Sequence, residues 1–223
     1  MTGRVFGSPL RASIRLRAFY AGPAAGAPQT GAIPMAIQQL VEESCDFALR
    51  VLEPHSIGVT LIPSDNGLIG HVPFQGELVS VVGYRNNDPN LPIVDERRAL
   101  EARRLVTSRY GNITDACVVI FGTMPGRHRG RTIETGPSGP TSANPYWFCC
   151  VSQTTTARST MIHEVLHCAN LQHYFAYANP ANPLTQDPQH IMAVVPDRLA
   201  DSRVHLLANG VTWLRRAFFF DPG

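Results

Sequence analysis

The stretch His163-Glu164-Val165-Leu166-His167-Cys168-Ala169-Asn170-Leu171-Gln172-His173 limits what this chain can fold into more than any other part of its 223 residues. On an α-helix, positions four apart differ by about 40° in direction and about 6 Å along the axis, so His163 and His167 can aim both imidazoles at one point. His173 then decides the local fold. On a continuous helix it would stand about 15 Å up the axis from His163, out of reach of an ion whose Zn–N bonds are about 2.1 Å. The helix must therefore end between His167 and His173. Asn170 stands where the reversal is needed, and after glycine asparagine takes left-handed backbone most readily. Ile162, Leu166 and Ala169 form an apolar stripe for the core, which turns the histidine pair toward a cleft.

The residue types point to a chemistry. Three neutral imidazoles on a tetrahedral Zn²⁺ leave one position for water, which is the composition of a catalytic site and not of a closed structural one. Glu164, beside the first histidine, is placed to hold and deprotonate a metal-activated water and is the candidate general base. The pattern HExxH arises by chance in about one such sequence in 100, and His173 at a fixed offset lowers that to roughly a few in ten thousand. Three histidines with unrelated roles are therefore a poor account of the spacing.

At these residues the sequence resembles the metzincin zinc peptidases, whose motif HExxHxxGxxH is followed by a methionine-containing turn beneath the metal. His163, Glu164, His167 and His173 match, and Asn170 stands in place of the glycine. Met192, in His190-Ile191-Met192-Ala193-Val194, is similar to the Met-turn and lies 19 residues past His173. Pro196, Leu199, Asp201, Val204 and Leu207 look like the family's final turn and C-terminal helix. Some members carry a tyrosine two residues after the methionine; Val194 occupies that place here. Tyr174 and Tyr177 are the remaining candidates for a transition-state hydroxyl, with packing as their other reading. The resemblance implies one catalytic domain over residues 1–223 with a metzincin-like two-lobe α+β fold. A mixed twisted sheet and the active-site helix would form the upper lobe, about 1–173. A helical lower lobe, about 174–223, would follow, with one catalytic Zn²⁺ between the two. By the same resemblance residues 131–135 are an edge strand that binds extended peptide by β-augmentation, and residues 146–151 lead into the active-site helix.

The rest of the chain alternates strand and helix patterns early and turns helical late. Residues 13–20 set Ile14, Leu16 and Phe19 against Arg15 and Arg17 as a half-buried strand does. A helix is expected from Pro34, an N1 proline, to just before Pro54. Strands are expected at 57–62, 77–84 and 117–121, and an exposed-faced helix at 95–110 closed by Gly111. Residues 122–145 read as a surface loop with a short extended piece at 131–135. Thr154, Thr155 and Thr156 offer N-caps for a helix running to about Ala169. After a Pro/Asn-rich loop at 178–189, a last helix is expected over 197–218.

Composition bounds the partners. Hydrophobic residues are 44% of the chain and charged residues 16%, enough apolar matter for a core. The net charge is +2 and no long run of one sign occurs, so nucleic acid is not an expected partner. The longest apolar runs, such as 116–121 and 217–220, fall far short of the ~20 residues of a membrane helix, so no membrane partner is expected. All 19 basic residues are arginine, a bias that a GC-rich genome or avoidance of lysine-directed modification would each produce. Five cysteines without a repeated CxxC spacing favour buried thiols over a disulfide framework. On a strand the vicinal Cys149 and Cys150 face opposite ways, so at most one reaches Cys168. The first residues lack an uninterrupted apolar segment, so the expectation is a cytoplasmic protein or one exported by a signal-independent route. The expected activity is zinc-dependent endopeptidase on a protein or peptide substrate, with the oligomeric state open. The alternatives are a zinc-binding toxin, effector or interaction domain without turnover, and a zinc amidase on a non-protein substrate.

Overall fold

A computed structural model describes residues 3–7, 12–23, 33–64, 67–75, 78–80, 93–122, 124, 129–133, 147–173, 189–193 and 204–223. The strands in chain order are β1 (Arg4–Phe6), β2 (Ala12–Gly22), β3 (Ile57–Leu61), β4 (Ile69–Pro73), β5 (Val79–Ser80), β6 (Ile93–Val94), β7 (Ala116–Phe121), β8 (Gly130–Ile133), β9 (Phe148–Ser152) and β10 (Phe220–Asp221). The helices are α1 (Met35–Leu52), α2 (Glu96–Tyr110), α3 (Ser159–Cys168) and α4 (Ala208–Leu214).

The fold is a mixed α+β arrangement built around β2. Its side chains alternate so that Ile14, Leu16 and Ala18 enter one apolar cluster, Phe19 and Ala21 another. Arg15 and Arg17, half-buried on this strand, pair with the buried Asp115, which precedes β7, at 3.0 and 3.4 Å. The strand order is β1-β3-β2-β7-β9-β8, with β4 and β10 also on β2. The inner strands β3, β2, β7 and β9 run parallel, and the outer strands β1 and β8 are antiparallel to their neighbours. Central parallel strands are covered on both faces, which is why β7 is buried at all six positions.

α1 and α3 cover one face, and α2 covers the other. α1 buries Ile37, Leu40, Val41, Phe47, Ala48 and Val51 at helical spacing, with Pro34 one position earlier than expected, at the N-cap. α2 begins at Asp95, whose carboxylate accepts from the Arg97 and Arg98 N–H groups, and ends at Gly111 with φ 76°. The ion pair of Arg158 with Glu43 ties the start of α3 to α1.

Two expected helices are shorter than the sequence suggests. α3 starts at Ser159, not near Thr154, and Arg158 at its N-cap makes no side-chain cap. The threonine hydroxyls are engaged elsewhere: Thr154 Oγ1 lies 2.8 Å from Ser152 Oγ, and Thr155 Oγ1 3.1 Å from Thr160 Oγ1. Among the described residues the last helix is α4; of the expected span 197–218, residues 197–203 lie outside the described residues, and 204–207 and 215–218 are not helical. There His205 donates its N–H to Gln189 O and accepts the Ile191 N–H, which commits this backbone to a bridge with residues 189–191. β4 was not expected. Of the strand expected at 77–84, β5 is described and residues 81–84 lie outside the described residues. Glu134, Thr135 and Tyr146, at the ends of the two strands expected before α3, also lie outside them.

All five cysteines are buried free thiols. Cys149 joins the cluster under α3 and Cys150 the opposite one, as strand alternation requires. Burial pushes the Cys45 thiol up to about 12 and the Cys117 thiol up to about 11. In protein kept reduced, a water-soluble thiol reagent is expected to modify fewer than one cysteine per chain in the native state, and all five after unfolding in guanidinium. Absorbance of the released chromophore gives both counts.

Candidate metal centre

The centre is assembled by how α3 ends. Asn170 has φ 64°, left-handed backbone, as its position in the sequence predicts. The Leu171 N–H donates to Leu166 O at 3.1 Å and the Asn170 N–H to His167 O at 2.8 Å. These are the two bonds of a Schellman closure, which satisfies helix-end carbonyls while turning the chain back. Leu171 enters the same apolar cluster as Leu166, so the reversal is held by core packing as well.

Returning this way, the chain brings the third ring to the first two. His173 Nε2 lies 3.1 Å from His163 Nε2 and 3.2 Å from His167 Nε2. One nitrogen from each ring falls within 4.8 Å of the others, a set that can hold a metal ion. Tetrahedral bonds of about 2.1 Å place ligand atoms about 3.4 Å apart, so these spacings are close to those a single ion requires.

The far sides of the rings fix which nitrogen is free. His163 Nδ1 is 2.7 Å from Ile191 O, and His167 Nδ1 is 2.6 Å from Leu171 O. A carbonyl can only accept, so each Nδ1 carries the proton and each Nε2 keeps its lone pair. Burial lowers the His163 pKa, and burial with the neighbouring imidazoles lowers that of His167 to about 3. Both rings are therefore neutral near pH 7, the form in which an imidazole can bind a metal.

Glu164 is on the same helix but faces β8. Thr132 Oγ1 is 2.7 Å from Glu164 Oε2 and 2.9 Å from its main-chain oxygen. Two residues along the same face of β8, Gly130 makes room: a Cβ there would lie 2.7 Å from Glu164 Cγ and 2.8 Å from Oε1. Burial raises the Glu164 pKa to about 7, against the Thr132 hydrogen bond and the charge of Arg131, which lower it. A carboxyl so poised can accept and return a proton near neutral pH.

Met192 is buried in a tight turn that the Ala193 N–H closes on His190 O at 2.8 Å. That turn carries Ile191, whose carbonyl holds His163. Cys168 faces the core, away from the three rings. Tyr174, Tyr177, Val194, Pro196, Leu199 and Asp201 lie outside the described residues. Thr132, Gly130 and the Ile191 carbonyl were not singled out from the sequence. The available signal for the first two was a Gly-x-Thr step at the start of the expected edge strand, with Gly130 just before its expected bounds of 131–135, and a main-chain acceptor leaves no residue-type signal.

Left-handed backbone costs a non-glycine residue roughly 1–2 kcal/mol, and β-branched side chains tolerate it worst. Asn170→Gly is expected to keep stability within about 1 kcal/mol and metal stoichiometry unchanged, while Asn170→Val loses at least about 1–2 kcal/mol and loads metal poorly. Urea unfolding and elemental analysis of dialysed protein read the two effects.

No family model matches the sequence, and no curated protein matches it. Among solved structures, metalloproteinase-II from Bacteroides fragilis is similar over 96% of this chain and 56% of that one, at 13% identity and a TM-score of 0.49. The chain thus spans little more than half the length of that structure.

Proposed function

We propose that the chain is a zinc-dependent endopeptidase, a single metzincin-like catalytic domain with its ion between an upper and a lower lobe. The observation that carries this reading is the convergence of three Nε2 atoms, with the buried Glu164, next in the chain to the first histidine, held by a hydroxyl from β8. His163, His167 and His173 would hold one zinc ion, and Met192 would stand in the family's Met-turn. Three imidazoles and no thiolate or second carboxylate suit zinc better than calcium or magnesium, which prefer oxygen ligands.

When bound, such an ion supplies Lewis acidity, polarising a carbonyl oxygen and acidifying water. Glu164 takes the proton of the attacking water and delivers it to the departing amine nitrogen, for which a pKa near 7 is suited. Thr132 donates to Glu164 Oε2 and limits its rotation. The Nδ1 bonds to Ile191 O and Leu171 O hold two of the three ligand rings in orientation.

β8 offers the substrate its main chain. Ser152 donates its N–H to Arg129 O at 2.9 Å, which makes 129 and 152 a hydrogen-bonded pair. Arg131 pairs with Cys150 and Ile133 with Phe148 in the same register. The main-chain groups of Gly130 and Thr132 therefore turn outward, away from β9. An extended peptide laid along them would be held without its side chains being read. A hydroxyl from Tyr174 or Tyr177 would supplement the transition-state contacts.

Casein cleavage that a zinc chelator abolishes and added zinc restores is the primary test. Glu164→Gln is expected to keep one zinc per chain and lose about 10²–10⁴-fold in kcat; a variant that keeps full turnover removes Glu164 from its role. Stoichiometric zinc with no cleavage of any peptide would favour the binding module over the enzyme. For a cleaved peptide, N-methylation of alternate main-chain amides that meet β8 is expected to raise KM about 3- to 10-fold each, one hydrogen bond's worth. Methylation of the intervening amides leaves KM unchanged.

A further inference from the structure

We infer that Cys149 and Cys168 form a disulfide site that closes while the chain folds in the presence of a disulfide oxidant and is sealed from that oxidant once the core is complete. The metal centre does not use these two thiols, and the inference stands whether or not the chain is a peptidase.

The placement is specific. Cys149 is on β9 and faces α3; Cys168 is the last residue of α3 and points back into the same cluster. Their sulfurs are 3.4 Å apart. A disulfide requires about 2.05 Å, so the two sulfurs need to approach by only about 1.4 Å. Cys117 and Cys150 belong to the cluster on the other side of the sheet, which separates them from both. Among the described residues no other pair of cysteine sulfurs comes within hydrogen-bond distance.

Burial decides when the bond can form. Both residues have 0% exposure. In the exchange, one protein thiolate attacks the oxidant's S–S bond and releases one oxidant thiol, leaving a mixed disulfide. The second protein thiolate then attacks the protein sulfur of that mixed disulfide and releases the other oxidant thiol. Two protein S–H bonds and one oxidant S–S bond are replaced by one protein S–S bond and two oxidant S–H bonds, and two electrons pass to the oxidant. The mixed disulfide places the oxidant's half inside the core, where close packing leaves no space for it. The step therefore belongs to the partly folded chain and is not a switch of the native one.

The link would fasten the end of α3 to the sheet one residue beyond His167 and two before Asn170. Helix ends fray first, and this end sets the geometry of all three rings. The oxidised chain is thus expected to resist denaturant better than the reduced chain, by restricting its unfolded ensemble.

The test refolds the full chain from reduced, denatured protein with zinc, in a mixture of glutathione and glutathione disulfide, followed by alkylation and peptide mapping. The expected result is a Cys149–Cys168 peptide pair with Cys45, Cys117 and Cys150 alkylated, and a denaturant midpoint that falls when reductant is added. Native reduced protein held in the same mixture is expected to keep all five thiols, and Cys149→Ser and Cys168→Ser to form no bond. If mispairing makes the wild type aggregate, a chain with Cys45→Ser, Cys117→Ser and Cys150→Ser gives the same reading. Refolded protein with native circular dichroism but free thiols at 149 and 168, or with another pairing, overturns the inference. So does oxidation of the native protein as fast as that of the folding chain.

Discussion

The reversal at Asn170 is the constraint on which the candidate centre depends. A helix can aim two imidazoles at one point by its periodicity alone, but no helix can aim a third from ten residues after the first. One residue with φ 64° returns the chain, and the Schellman bonds to Leu166 O and His167 O hold it there. The same turn does a second task. It sets the Leu171 carbonyl 2.6 Å from His167 Nδ1, so the residue that anchors the reversal in the core also selects the tautomer of the second ring.

α3 must satisfy three surroundings at once. Ile162, Leu166 and Cys168 pack into the core, His163 and His167 face the third histidine, and Glu164 is buried against β8. An ionisable group in that last position is costly unless it is hydrogen-bonded. Thr132 supplies the bond and Gly130 the space, so two alternate positions of one short strand set the chemistry of a residue on the helix. Among the described residues β8 stands at the end of the sheet, and the outward backbone of those same residues points away from β9. In the proposed reaction the element that holds the base would also hold the substrate.

Much of the architecture was legible because it follows from local rules. The alternation in β2, the helical stripe of α1 and the Gly111 stop of α2 each depend on residues within a few positions of one another. Errors arose where distant partners override local signals. Of the threonines that could cap a helix near 154, Thr154 bonds to Ser152 and Thr155 to Thr160 instead, and the pairing of His205 with residues 189–191 keeps 204–207 out of the last helix. β4 is not legible because Gly70 and His71 interrupt its pattern, and its place in the sheet comes from pairing with β2.

The sequence by itself determined the spacing of the histidines, the carboxylate beside the first of them and the asparagine that can reverse the chain, because helical periodicity and backbone preference are properties of neighbouring residues. Only the tertiary structure decided which ring nitrogen is free, since the acceptor for His163 comes from Ile191, 28 residues away. It alone decided how Glu164 is held and which of the vicinal cysteines meets Cys168. These outcomes depend on which strand lies against which helix, and that is settled by packing across the whole sheet.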